Sequence, residues 1–194
     1  DGALSFAPPA LLFAGRDVVC VPSGTTLVAL ADERDRRGTG ILAMGDPLYP
    51  AAAGGRASRS RALLALPGTR AEVEAVGTKV LVGKDATKTR LRAEIATRER
   101  WRAIHVACHG LVDVRRPALS ALALTPGADD DGLLAARDVF VLRLPADLAV
   151  LSACETGRGR VVRGEGIVGL TRAFMFAGAP RVIVSLWKVD DTAT

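Results

Sequence analysis

Short apolar runs alternate with amphipathic segments along most of the chain. Three runs stand out: Trp101–Gly110 (WRAIHVACHG), Leu148–Gly157 (LAVLSACETG) and Arg181–Trp187 (RVIVSLW). Each stops at polar or turn residues, which is typical of a buried parallel strand. Helices are predicted over 87–100 and 164–177, where apolar positions recur at helical spacing. Strands that alternate with helices favour an α/β domain built on a mainly parallel sheet.

Shorter elements fill in the rest of this prediction. We expect strands over 16–21, 39–45 and 80–82, a helix over 25–34, an extended segment over 117–126 and a short helix over 133–142. The sequence Thr69-Arg70-Ala71-Glu72 fits a capping box and predicts that a helix begins at Thr69. Gly178 is suited to close the helix over 164–177, in which Phe176 is expected to be buried. The Ala-, Gly- and Arg-rich stretch over 49–61 is expected to be a loop.

Two of the predicted strands end in side chains that can act together as a catalytic pair. The first run ends in His109-Gly110 and the second breaks off at Cys154. Ligands of open α/β sheets bind at the carboxyl ends of the strands, so neighbouring strands would bring the thiol and the imidazole to one edge. A thiolate paired with an imidazole can attack an acyl carbon, with the backbone N–H groups of Gly110 and Cys154 as the expected oxyanion donors.

The other cysteines and the second histidine are interpreted as structural. Cys108 precedes His109 and is expected to point to the opposite face of its strand, into the core. Cys20 is also expected to be a core residue, since cysteine is among the most buried residue types. His105 lies in the middle of the strand, on the His109 face, and competes with His109 for the catalytic role.

Composition narrows the class of protein. The chain has 49% hydrophobic and 24% charged residues and a net charge of +5, which fits a folded domain with a full core. The basic residues over 56–102 are interspersed with Glu and lack interleaved aromatics, which favours a solvated surface over a nucleic-acid interface. Three cysteines without a CxxC pair indicate neither a zinc ribbon nor a disulfide framework. No metal or cofactor is expected.

The sequence also allows a prediction of where the protein is located in the cell. The sequence has no leader and no apolar run of about 20 residues, so we expect neither secretion nor a membrane span, and a cytoplasmic location. The abrupt ends at Asp1 and Thr194 indicate a domain excised from a longer protein.

Several motifs together resemble a known family. IHVACHG, LSACETG and GEGIVGLTRAFMFAGAPRVIVSLWKVDD, and more weakly DGALSFAPPALL and PSGTTL, are similar to the CHAT domain. This caspase-like family is related to separase and is often joined to tetratricopeptide repeats. The resemblance spans essentially the whole chain and implies a single domain over 1–194. It implies a three-layer caspase–haemoglobinase fold, a mainly parallel central sheet with helices on both faces.

The resemblance also implies an activity. It gives cysteine endopeptidase activity on protein or peptide substrates, with catalytic residues at the positions of His109 and Cys154. It further implies control by an attached sensor domain or a partner, such as a tetratricopeptide-repeat domain. The sequence departs from the family at both ends: it begins inside the family's opening motif and stops where members continue into a further helix.

Three alternative functions remain open at this point. The motif Gly164-Glu165-Gly166-Ile167-Val168-Gly169, with Asp190 further on, matches a dinucleotide fingerprint. Its glycines do not follow a strand directly, so close helix packing and a loop near Cys154 explain them better. A protease-like binding module without catalysis and a non-proteolytic cysteine hydrolase are the other two alternatives.

Substrate preference depends on acidic residues near the pair. Asp190, Asp191, Glu155 and Asp113 are candidates for a pocket that would select Arg or Lys at P1. Asp190 and Asp191 can also be explained as the cap of a following helix.

Overall fold

The computed structural model describes residues 37–49, 63–113, 115–128, 130–153 and 165–184, together with Gly24 and Val28. Of residues 165–168 only the backbone is described. The chain divides into two compact units, Asp1–Asp35 and Arg36–Thr194. Gly24 and Val28 of the first unit are helical; all other features below belong to the second.

The second unit alternates strands with helices. In chain order its elements are β1 (Ile41–Pro47), α1 (Gly68–Val76), β2 (Lys79–Gly83), α2 (Lys88–Ile95), β3 (Ala103–Ala107), β4 (His109–Leu111), a 3₁₀ turn (Pro117–Leu119), β5 (Ala121–Ala123), β6 (Leu133–Ala135), α3 (Ala136–Phe140), β7 (Ala149–Ser152), α4 (Glu165–Ala177) and β8 (Val182–Val184). The prediction of an α/β fold is confirmed.

The central sheet has five strands in the order β2-β1-β3-β7-β8, and every neighbouring pair is parallel. The mainly parallel sheet predicted from the apolar runs is therefore confirmed. All five carboxyl ends lie at one edge, because the strands run in the same direction. The two strands that precede His109 and Cys154, β3 and β7, are direct neighbours in the sheet.

Helices cover both faces of this sheet, which makes the three layers that were predicted. On one face, apolar side chains of α2, α3 and α4 pack on the strands; the largest buried members of this cluster include Trp101, Phe174, Leu42, Met44 and Ile104. On the other face α1 packs against β1 and β3 through a small cluster of Ala43, Val73 and Ala107. Alternation of side chains along each strand separates the two sets.

The predicted strand over 101–110 is divided in two, which corrects the sequence interpretation. β3 ends at Ala107, and β4 begins at His109 in a second sheet with the order β4-β5-β6. This second sheet is antiparallel. The chain leaves the parallel sheet at Cys108, whose N–H still donates to the Ser152 carbonyl at 3.1 Å. His109 therefore begins a new strand directly after the carboxyl end of β3.

Other element boundaries differ from the prediction for local reasons. Residues 133–142 form the strand β6 followed by the five-residue helix α3, and residues 117–126 contain the 3₁₀ turn and β5. The helix predicted over 87–100 ends at Ile95, although its amino-terminal cap is Thr87, which accepts a hydrogen bond from the Arg90 N–H. β1 covers 41–47 rather than 39–45.

The capping box predicted at Thr69 is wrong. The helix α1 begins at Gly68, and its cap residue Pro67 makes no side-chain bond. The Thr69 hydroxyl instead donates to the Leu66 carbonyl and accepts from the Asp46 N–H. Glu72 does not turn back to the helix start but reaches His105 on β3. Tertiary partners have replaced the local cap.

The predicted end of α4 is confirmed, but one of its side chains is not where it was expected. Gly178 follows the helix with φ 124° and lies in the left-handed region that favours glycine. Leu170 and Phe174 are buried, whereas Phe176 is 76% exposed and packs edge-on against Phe140. Within the described part of the chain, no helix is both long enough and apolar enough to cross a membrane.

Candidate active site

The candidate site lies at the carboxyl ends of β3 and β7. Ala107 and Ser152 are the last paired residues of these strands. The pairing joins positions 45 residues apart, and His109 and Cys154 are separated by the same 45 residues in the sequence. The structure describes His109 and the chain up to Ala153; Cys154 lies outside the described residues.

The His109 imidazole is held by a backbone carbonyl. Its side chain is nearly buried, with the residue 8% exposed. Nε2 lies 2.8 Å from the Leu64 carbonyl oxygen, in the segment that leads into α1. Because a carbonyl oxygen only accepts hydrogen bonds, Nε2 must carry the proton, and in the neutral ring Nδ1 then holds the lone pair. The contact with Leu64 therefore selects the tautomer in which Nδ1 can act as a base.

Tyr49 packs against the same imidazole and ties it to the second sheet. The centroids of the two rings are 5.3 Å apart. The Tyr49 hydroxyl donates to the Ala123 carbonyl at 3.0 Å and accepts from the backbone N–H of His109 at 3.4 Å. Burial raises the pKa of Tyr49 far above its usual value, so the hydroxyl stays protonated and can serve as donor and acceptor together.

The end of β1 is shaped to deliver Tyr49 to this position. Asp46 has φ 46°, a left-handed conformation that is unusual outside glycine, and its N–H donates to the Thr69 hydroxyl at 2.8 Å. Two residues later the Leu48 N–H donates to the Thr125 hydroxyl at 2.9 Å. These bonds anchor the chain on both sides of Pro47 and fix the point at which Tyr49 turns toward His109.

His105 has a structural role in this arrangement, as the sequence indicated. Its Nε2 lies 2.8 Å from Glu72 Oε1, and the two side chains are 12% and 13% exposed. Burial by itself raises the pKa of Glu72, but the side chains of His105 and Ser152 more than compensate and lower the pKa below its usual range. Glu72 is therefore a carboxylate at neutral pH, and it binds His105 to α1.

Cys108 is an inert core thiol, as predicted. It is 2% exposed and belongs to the large apolar cluster on the face opposite α1. Burial raises the pKa of its thiol to about 12, so almost none of it is thiolate at neutral pH. Cys20, the other cysteine expected in the core, lies outside the described residues.

The remaining candidates are placed in part. Gly110 lies in β4, in register with Leu122 of β5. Asp113 follows β4 and stabilises a turn: its carboxylate accepts from the Arg116 N–H at 2.9 Å and pairs with the Arg116 guanidinium at 3.5 Å. The pocket candidates Glu155, Asp190 and Asp191 lie outside the described residues.

Sequence reasoning missed three contributors to the site. The Leu64 contact uses a backbone carbonyl, which any residue type can supply, so the sequence carries no signal for it. Glu72 was assigned to a capping box, a local pattern that hides a contact made across the fold. Tyr49 was placed at the start of a loop, although a lone tyrosine two residues after Pro47 is an aromatic signal in a chain with 4% aromatics.

The glycine motif over 164–169 is placed mainly in a helix. Gly166 and Gly169 lie inside α4, where the dinucleotide fingerprint requires a loop between strand and helix. A Cβ on Gly169 would lie 3.1 Å from the Pro117 carbonyl oxygen, so this glycine serves close packing. Gly164 lies outside the described residues. Within the described ranges, no group of three or more His, Cys, Asp or Glu residues could hold a metal ion.

A parallel sheet with helices on both faces, and a buried histidine just beyond the end of a central strand, make this an α/β domain consistent with the caspase-like fold. The family model of the CHAT domain matches residues 3–194. The chain belongs to the CHAT domain family, as its motifs indicated.

Two curated relatives are large proteins. Tetratricopeptide repeat protein 28 from mouse is 33% identical over 159 residues, which cover 62% of this chain and 6% of the relative. The human protein of the same name is 32% identical over 159 residues, with the same shares covered. The chain thus spans 6% of the length of these curated relatives.

Proposed function

We propose that this chain is a cysteine endopeptidase that uses Cys154 as nucleophile and His109 as general base. One observation carries the proposal. β3 and β7 are paired at Ala107 and Ser152, and each of the two proposed catalytic residues follows its strand by two positions. Membership of a caspase-like family supports the same assignment.

The tautomer of His109 determines how the reaction would run. With Nε2–H held by the Leu64 carbonyl, Nδ1 accepts the proton of the Cys154 thiol as sulfur attacks the scissile carbonyl carbon. Collapse of the tetrahedral intermediate breaks the C–N bond, and Nδ1–H gives its proton to the leaving amine. Water, deprotonated by the same nitrogen, then attacks the thioester and releases the acid and the thiol.

The oxyanion would be stabilised by the backbone N–H groups predicted from the sequence, those of Gly110 and Cys154. Removing one such donor costs on the order of 10²–10³ in rate. Leu64 would act as an orienting group, because imidazolium formed during the reaction is stabilised by the carbonyl dipole at Nε2. The carbonyl thus takes the part that a carboxylate plays in a serine protease triad.

Substrate and regulation belong to the same proposal. Protein or peptide substrates follow from the family. Asp190, Asp191, Glu155 and Asp113 stay the candidates for a pocket that accepts Arg or Lys at P1. The relatives are named for tetratricopeptide repeats, which supports control by a repeat domain or repeat partner. A cytoplasmic location remains an expectation from the sequence.

The test is cleavage of a proteome-derived peptide library by the wild type, Cys154→Ala and His109→Ala. His105→Gln is the matched histidine control, because the Gln amide can still donate to Glu72. We expect cleavage that both catalytic variants abolish and the control retains, with Arg or Lys enriched at P1. A set of non-peptide acyl esters and thioesters, tested alongside, identifies a non-proteolytic hydrolase. Cleavage that persists in Cys154→Ala contradicts the proposal, and activity on the acyl compounds alone replaces peptidase by hydrolase.

A further inference from the structure

Glu72 is a nearly buried carboxylate that the proposed reaction does not use. Its side chain is 13% exposed. One oxygen, Oε1, binds His105, while Oε2 is buried and has no hydrogen-bond partner within the described part of the chain. Removing a charged carboxylate from water costs several kcal/mol unless partners compensate. A charge in this position therefore requires a structural or functional explanation.

The carboxylate binds the strand that leads to His109. Burial alone would raise the pKa of Glu72. The side chains of His105 and Ser152 outweigh this effect, so the pKa is lowered overall. His105 is on β3, four residues before His109, and Ser152 is on β7, two residues before Cys154. Glu72 thus joins α1 to β3 through His105.

The helix that carries Glu72 also determines where the Leu64 carbonyl lies. α1 begins at Gly68, and the Leu66 carbonyl accepts hydrogen bonds from the N–H and the hydroxyl of Thr69, at 3.1 Å and 2.7 Å. The segment with Leu64 is therefore fixed to the first turn of α1. A shift or rotation of α1 on the sheet would carry the Leu64 carbonyl away from His109 Nε2, 2.8 Å distant.

Both apolar packing and polar contacts fix α1 on the sheet. The apolar cluster beneath it consists of the buried Ala43, Val73 and Ala107 with the partly buried Ile41, Val80 and Val82 packed against them. It is smaller than the cluster on the opposite face, which contains Trp and Phe side chains. Two further polar groups of α1, Thr69 and Arg70, both bind Asp46 on β1. Glu72 supplies the polar contact between α1 and β3.

We propose that Glu72 is a positioning residue, which seats α1 on β3 through His105 and so keeps the Leu64 carbonyl bound to His109 Nε2. Its consequence for catalysis rests on the proposed function, whereas its effect on the bond between His109 and Leu64 follows from the geometry alone. The two parts can be measured separately.

The first measurement is the exchange of the His109 Nε2–H with water, observed by proton–nitrogen NMR. The chain has two histidines, so the His109→Ala variant assigns the signal. In Glu72→Ala we expect exchange at least about tenfold faster than in the wild type, because the anchor of α1 is lost. Glu72→Gln should be intermediate, since its amide oxygen can still accept from His105. Glu74→Ala is the matched control, because Glu74 lies on the same helix but its side chain is 54% exposed.

The second measurement is the iodoacetamide alkylation rate of Cys154 as a function of pH. In Glu72→Ala we expect the rate at neutral pH to fall by about 10- to 100-fold, since a displacement of about 1 Å can cost about a hundredfold. The pH profile should move toward that of an ordinary thiol, with a pKa near about 8.5. A general loss of stability would lower the melting temperature without moving this profile.

The outcomes separate the two proposals. If His109→Ala leaves the alkylation of Cys154 unchanged, the proposed function fails, and the exchange of the His109 Nε2–H still decides the role of Glu72. If alkylation depends on His109 but not on Glu72, the positioning role is overturned. Unchanged exchange in Glu72→Ala overturns it too; should that variant not fold, exchange in Glu72→Gln equal to that of the wild type does so.

Discussion

Removal of the Tyr49 hydroxyl measures how firmly the fold holds His109. Tyr49→Phe keeps the aromatic ring against the imidazole and deletes the hydroxyl. This hydroxyl donates to the Ala123 carbonyl at 3.0 Å and accepts from the backbone N–H of His109 at 3.4 Å. Both partners are buried, so each loses a bond that water cannot easily replace. Such a loss costs about 1–3 kcal/mol. Since the 3.4 Å bond is long, we expect about 1–2 kcal/mol.

The assay is denaturant and thermal unfolding followed by circular dichroism. In a chain of this size 1 kcal/mol corresponds to about 2–4 °C in Tm, so Tyr49→Phe should unfold about 2–8 °C below the wild type. Thr97→Val is the control, because it deletes an exposed hydroxyl that donates to the Glu94 carbonyl at 2.7 Å; its effect should stay within about 0.5 kcal/mol. Equal stabilities of Tyr49→Phe and Thr97→Val would show that the Tyr49 hydroxyl does not help to hold His109.

Three further predictions concern the packing and the charge of the α1 face and the core opposite it. Gly45→Ala should cost about 1–3 kcal/mol in unfolding free energy, because its Cβ would lie 2.7 Å from the Thr69 carbonyl oxygen; denaturation no different from wild type would show that α1 can move away. The polar neighbours of Glu72 lower its pKa despite burial, so its contribution to stability is present above the usual carboxyl range and is lost as pH falls through the lowered pKa. The stability difference between wild type and Glu72→Gln should therefore shrink on acidification, and a difference that grows would contradict the sign. Phe174→Ala should cost about 3–5 kcal/mol and Phe176→Ala much less, since they are 1% and 76% exposed; similar losses from the two would be inconsistent with this packing.

The sequence was informative where apolar runs are long and buried on both faces. The runs that end near His109 and Cys154 predicted parallel strands, and the register of β3 with β7 reproduces their 45-residue spacing. Side-chain alternation likewise predicted that Cys108 faces the core, and it is 2% exposed. Such inferences succeed because a strand buried on both faces must be apolar along its length.

The second sheet could not be anticipated in the same way. Its strands β4, β5 and β6 have three residues each, too few to reveal a period of two. The segment that became β6 and α3 reads as one apolar stretch over 133–142, and short apolar runs do not distinguish strand from helix. The split after Ala107 depends on pairing with β5, a tertiary contact that the residues of β3 do not encode.

The contacts of His109 could not be predicted from the sequence for another reason. The acceptor of its Nε2–H is a backbone carbonyl, that of Leu64, and any residue could supply it. The Glu72 side chain had two competing uses, a local cap and a distant histidine, and the partly buried contact with His105 prevailed. Local patterns identify the residues that can bind, whereas the fold decides which partner each one meets.

Whether His109 activates Cys154 is decided by the alkylation rate of Cys154 in wild type and His109→Ala, measured by mass spectrometry at neutral pH. Cys108 serves as an internal reference because burial raises the pKa of its thiol to about 12. We expect wild-type Cys154 to react at least about tenfold faster than a free thiol of pKa about 8.5. His109→Ala should remove this advantage, while His105→Gln, whose amide can still donate to Glu72, should preserve it. Equal rates in wild type and His109→Ala would contradict the claim that His109 activates Cys154.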